Sequence, residues 1–252
     1  MPRTTLDREL QALHELLLAI ATLVISSLQQ FLLVLETGDQ RTLDGIIALA
    51  PTIDSLSMEA EERTLRLLIL QQPLGGQDLR FLTSALHIEM DLKRAGTLPV
   101  EMAQLIRAQL LSPESTLSQM RTQKISLPAE MISALDEYGY VTEIFVLRGL
   151  LDLGKAVQHL LQETMQALAQ KSVTQSEAVC QECMFMEQRY QYLSQDLMMM
   201  LWKAPALSAL QRDASILQRI AQLLWIAHEM KQLARYAESI CTHIVFIVRG
   251  KN

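Results

Sequence analysis

Cys180-x-x-Cys183 places two thiols one helical turn apart, and thiolates bind zinc and other soft cations. A structural zinc site needs four ligands, and the only other cysteine is Cys241. The pair therefore reads as two small, buried or half-buried helix residues. His87, Glu89 and Asp91 crowd a second place in the chain. The i, i+4 spacing of His87 and Asp91 puts both on one helix face, and Glu61 or Glu62 could complete an N/O metal site. A solvated charged face is the simpler reading. A di-iron carboxylate bundle needs Glu-x-x-His on facing helices. The residues three positions before the five histidines are Gln11, Ser84, Ala156, Trp225 and Ile240, none of them acidic, which argues against that class. Met198-Met199-Met200 reads as core filler and adaptable contact surface. Gly75-Gly76 is a tight turn rather than a phosphate cradle, and no dinucleotide-binding, Walker-type or nucleophile-elbow motif occurs. No catalytic residue and no cofactor is assigned.

The elements that would position these groups are helices. Half of the 252 residues are hydrophobic, 20% are charged and only 5% are aromatic, a balance that favours helices over a β-sandwich. The net charge is −6, with 11 basic and 15 acidic groups in residues 1–125 and 11 and 13 in the rest, so neither half carries the basic patch that nucleic acid requires. Three cysteines form no disulfide framework, the N-terminus MPRTTLDRELQ is no secretory signal, and no apolar run reaches the roughly 18 residues that span a bilayer. These features together predict a cytoplasmic protein without direct membrane insertion.

Apolar residues at steps of three and four run from Leu10 through Leu13, Leu17, Ile20, Val24, Leu28 and Phe31 to Leu35, the stripe of one long helix. Thr37-Gly38-Asp39 ends it and caps the next. That second helix is expected over about 40–72 with a kink at Pro51, followed by a turn at Pro73 and Gly75-Gly76. A third starts near Asp78 and should kink or loosen at Pro99, within a less regular stretch over about 96–128. The second half repeats the plan, with helices over about Ala129–Lys171, from a turn at Ser172-Val173-Thr174 to about Lys203, and from beyond Ala204-Pro205-Ala206 to Gly250. The expected fold is all-α, two tandem antiparallel three-helix bundles over residues 1–125 and 126–252. No period-two strand pattern competes.

The segment LQQPLGGQDLR, residues 70–80, resembles the turn between the second and third helices of the PhoU family, regulators of phosphate uptake. That turn usually reads L-x-x-Q-P-x-A-x-D-L-R; here one extra residue precedes Asp78-Leu79-Arg80. The ending IVFIVRG, residues 244–250, resembles the family's last helix, and Glu61-Glu62 ahead of Arg66-Leu67-Leu68 resembles its acidic second helix. The family is a tandem of two three-helix bundles, so the resemblance covers nearly the whole chain. It implies a non-enzymatic cytoplasmic regulator acting by protein contacts. The implied partners are the ATPase subunit of a phosphate ABC transporter and a membrane sensor kinase, with self-association into a dimer as a further expectation.

The resemblance also implies surface metal clusters held by Glu and Asp of an E-R-I-G-D motif in the third helix of each half. Here the first copy falls on Lys93-Arg94-Ala95-Gly96-Thr97 and the second on Lys231-Gln232-Leu233-Ala234-Arg235. The acidic positions of the preceding helices fall on Ala50 and Cys183, and Glu187 retains the next one. Basic side chains repel a cation, so the inherited sites at Lys93, Thr97, Lys231 and Arg235 are expected to hold no metal. Lys231 and Arg235 follow Met230 and Ala234, so both are expected on a solvated basic edge or at an acidic-partner contact rather than as a buried pair. The alternatives are a metal site relocated to Glu61, His87 and Asp91, or a helical interaction module without a phosphate role.

Overall fold

The computed structural model describes residues 3–70, 74–110, 143–203 and 214–250, and every element among them is an α-helix. In chain order these are α1 (Arg3–Thr37), α2 (Gln40–Ile47), α3 (Ala50–Leu70), α4 (Gly76–Leu110), α5 (Glu143–Gln170), α6 (Val173–Lys203) and α7 (Ala214–Arg249). Helices α1 to α4 pack as one bundle, and α5, α6 and α7 pack pairwise as another. Helix α7 also lies along α4, and α1 lies along α5, so the buried side chains of both bundles join in one hydrophobic cluster. Gly154 allows the α1–α5 approach: a Cβ there would collide with the Leu32 side chain. The expected boundary near residue 125 and the expected helix start at Ala129 lie outside the described residues.

The stripe read from the sequence is the centre of the core. Leu13, Leu17, Ile20, Val24, Leu28 and Phe31 of α1 are all fully buried. Contrary to the expectation, α1 is long and apolar enough to cross a membrane by length and composition alone. Ser26 and Ser27 do not interrupt it, because serine can satisfy its hydroxyl within a helix: Ser27 Oγ donates to the Leu23 carbonyl at 2.5 Å. The burial of the stripe among the other helices is that of a core helix.

Helix ends follow local chemistry. Gly38, at φ 67°, adopts the left-handed conformation and donates its N–H to the Val34 carbonyl. Asp39 then caps α2, accepting from the Arg41 N–H at 3.2 Å and the Thr42 hydroxyl at 2.8 Å. These two donors hold its carboxyl below the usual range. Pro51 does not kink a helix. The chain breaks at Ala48–Leu49 instead, and Pro51 stands in the first turn of α3, where its missing N–H is no loss. The stretch after residue 96 also departs from the expectation, since α4 continues through Pro99 to Leu110. Ala95, Val100, Met102, Ala103 and Ile106 are buried around the proline, and this packing sustains a helix one hydrogen bond short. The turn between α5 and α6 falls at Lys171 (φ 52°) and Ser172, with α6 already under way at Val173.

Candidate functional site

Each half presents its third long helix, α4 or α7, against its second, α3 or α6. The positions that the resemblance matches to the acidic motif, Lys93, Thr97, Lys231 and Arg235, lie along these two seams. At the first, Lys93 of α4 reaches across to α3, with Nζ 3.7 Å from Asp54 Oδ1. Both side chains are open to water, 42% and 54% exposed. Gly96 lets the helices approach, since a Cβ there would lie 2.9 Å from Ile53 Cγ2. Thr97 turns its hydroxyl back to the Arg94 carbonyl, at 2.8 Å.

The second seam repeats the arrangement. Lys231 of α7 reaches α6, with Nζ 3.5 Å from Glu187 Oε1. Here the lysine is only 14% exposed, and Nζ lies 4.3 Å from the centroid of the Tyr190 ring. Lys231 is thus a covered cation held by a carboxylate and an aromatic face, which corrects the expectation of a solvated edge. Arg235, one turn further, is exposed as expected. Ala50 is half-buried, whereas Cys183 is buried and donates to the Ala234 carbonyl at 3.4 Å. In both halves an ammonium group faces the carboxylate four residues beyond the lost family acid, Asp54 after Ala50 and Glu187 after Cys183. At each seam the carboxylate is therefore paired with a lysine ammonium group. Asp54 and Tyr190 were not singled out from the sequence. The i+4 register from Ala50 could have indicated Asp54, but nothing local indicated Tyr190.

The relocated trio is not brought together. His87 and Asp91 face α7, where the His87 ring stacks on His243 with centroids 4.7 Å apart and planes 26° apart. His87 Nδ1 donates to the Thr83 carbonyl at 2.9 Å, which fixes its proton. Burial raises the Asp91 carboxyl, while the Ser239 hydroxyl and His243 pull it back. His243 is lowered by burial and by His87, against Asp91. Glu61 is exposed on α3, on the opposite side of α4, beside Glu89. Glu89 is itself buried and raised, chiefly by desolvation, with Ser57 and Lys93 opposing and Glu61 adding to the shift. Among the described residues no three His, Cys, Asp or Glu side chains converge as a metal site would require.

One further group joins the halves. Arg80 Nε donates to the Ile247 carbonyl at 3.4 Å, at the end of α7. Its guanidinium rests against Gly250, whose φ of 70° closes that helix. Two segments that carry the family resemblance, 167 residues apart at the hydrogen bond, therefore meet.

Paired all-helical bundles define the class of fold, a helical scaffold, and the seams of this one carry lysine. The family model described as the PhoU domain matches residues 17–106 of this chain. It is similar to the phosphate-specific transport system accessory protein PhoU homologue of Clostridium acetobutylicum, with 20% identity over 251 residues, 100% of this chain and 97% of that one. The corresponding Streptococcus pneumoniae homologue is 24% identical over 253 residues, 99% of this chain and 97% of that one. Among solved structures, PhoU from Pseudomonas aeruginosa shares the fold at TM-score 0.73 and 20% identity, covering 97% of this chain and 99% of that one. The phosphate transport system regulatory protein PhoU from Streptococcus pneumoniae does so at TM-score 0.72 and 22% identity, covering 98% of each chain.

Proposed function

We propose that this chain is a non-enzymatic regulator of phosphate uptake and phosphate signalling that works in the cytoplasm by protein contacts. The observation that carries the reading is the end-to-end match to accessory proteins of phosphate-specific transport systems. The long amphipathic helices support a contact mechanism, because they offer faces and grooves to partner helices. The proposed partners are the transporter's ATPase subunit and a sensor kinase, and the protein is proposed to form a homodimer. Its two bundles are proposed to divide near residue 125. The lysine-filled seams support regulation without bound metal. The test is deletion of the gene in its host, with phosphate uptake and a phosphate-starvation reporter followed at high and low phosphate. Altered uptake or reporter output, restored by the intact gene, is expected. Unchanged uptake and reporter output at both concentrations would contradict the reading and favour a helical module without a phosphate role.

A further inference from the structure

Helix α6 carries two apolar stripes on opposite sides. The inward one, Val179, Cys183, Met186, Leu193 and Leu197, is buried, and α6 packs on α5 and α7. The outward one steps by seven residues through Phe185, Tyr192 and Met199, which are 57%, 69% and 41% exposed. Gln181, Gln188 and Gln195 stand between them, so the outward face runs in steps of four and three from Gln181 to Met199. That is the pattern of a coiled-coil seam with apolar residues at the a positions and amides at d. One apolar face is enough to seat a surface helix in its bundle. A second one, kept in register over about five turns, is a face that lacks its partner.

The charges beside the stripe indicate what that partner is. One edge, the e positions, carries Glu182, Arg189 and Asp196, alternating in sign. The other edge, the g positions, carries the uncharged Met184, Gln191 and Met198. Neither an acidic nor a basic partner is steered to such a face. A second copy of the chain fits it. An antiparallel pair about a two-fold axis turns like edges toward each other, and the uncharged edges then meet without repulsion. With the axis passing between Phe185 and Gln188, Arg189 of each copy stands opposite Glu182 of the other. In the same register Phe185 faces Gln188 of the second copy, and Gln181 faces its Tyr192.

We infer that α6 is the surface on which two copies of this chain pair, through an antiparallel seam of Phe185, Gln188 and Tyr192 held at its edge by Arg189 and Glu182. The inference rests on the homodimer proposed above and names its surface. Amides in the seam fix its register at a cost in stability, so the dimer is expected to dissociate in about the micromolar range.

Sedimentation velocity of the full chain over a concentration series tests this, with circular dichroism to follow the helices of each variant. The wild type is expected to dimerise. Phe185→Asp and Tyr192→Ser change solvent-facing side chains, and each should weaken the dimer about tenfold or more with helicity unchanged. Arg189→Glu and Glu182→Arg should each weaken it several-fold, and the double variant Glu182→Arg/Arg189→Glu should restore it. Within one helix these two residues are about 10 Å apart along the axis, so restoration reports a contact between copies. A dimer indifferent to Phe185→Asp and Tyr192→Ser would overturn the inference and leave the homodimer to another surface. A wild-type monomer at every concentration up to about 100 μM would overturn the inference and the homodimer together. Single charge variants without effect, or a double variant that stays weakened, would overturn the antiparallel pairing. Where Phe185→Asp fails to fold, Tyr192→Ser and the charge exchange decide the matter.

Discussion

The two seams carry the same substitution in different surroundings. Lys93 and Asp54 meet in water, whereas Lys231 is largely covered, flanked by Glu187 and lying over Tyr190. An exposed pair gains little, since solvent screens the attraction and two long side chains lose freedom. A covered cation is different: once partly desolvated, it needs its carboxylate and its aromatic face. The same exchange of acid for base is therefore expected to be nearly neutral at the first seam and structural at the second.

Charge reversal should separate them most. Lys231→Glu would place a carboxylate beside Glu187 under Tyr190, and is expected to lower stability by about 2–3 kcal/mol. Lys93→Glu beside exposed Asp54 is expected to cost under about 1 kcal/mol. Urea unfolding of both variants measures the difference. Equal losses would mean that the contrast in burial has no energetic consequence.

A smaller effect is expected where the halves meet. Arg80→Ala removes the donor to the Ile247 carbonyl and the packing on Gly250, and should cost about 1–2 kcal/mol. Hydrogen exchange should then quicken at the end of α7 while the Lys231 seam stays protected. Uniform loss of protection over all of α7 would show instead that the two places are one cooperative unit.

The smallest effects concern pH. The raised carboxyl groups of Glu89 and Asp91 bind protons more tightly in the folded chain than in the unfolded one. Stability from this source is present below the unfolded values of 4.5 and 3.8, and is lost as pH rises through the raised folded values. Glu89→Gln, next to the first seam, should flatten that fall and be neutral or slightly stabilising at pH 7. The lowered His243 acts oppositely: its contribution is present above 6.5 and is lost as pH falls through the depressed folded value. Melting temperature against pH, for wild type, Glu89→Gln and His243→Gln, resolves the two slopes. A Glu89→Gln profile as steep as that of wild type would contradict the assignment.

Much of the fold was legible because its signals are local. The α1 stripe, the Gly38 and Asp39 caps and the Gly250 stop each depend on residues within a turn or two. Prolines misled in two ways. Pro51 fits a first turn as readily as it kinks a helix, and Pro99 is carried through by burial supplied from other helices. At the seams, counting along the chain singled out Lys93 and Lys231, but the cover over Lys231 comes from Tyr190 on another helix. The contact of Arg80 with Ile247, and of Cys180 with the Glu238 carbonyl, likewise depends on which helices become neighbours, and periodicity within one helix does not specify that.

The central claim is that lysine side chains stand where the family resemblance implies metal. Elemental analysis of the protein, purified without chelator from cells supplied with iron and zinc, tests it most directly. The account predicts well under one equivalent of either metal for the wild type and no change for Lys93→Met or Lys231→Met. Stoichiometric metal that is lost on changing Asp54, Glu187 or the residues beside Lys93 and Lys231 would contradict it, and loss confined to Glu61, His87 or Asp91 variants would establish the relocated site instead.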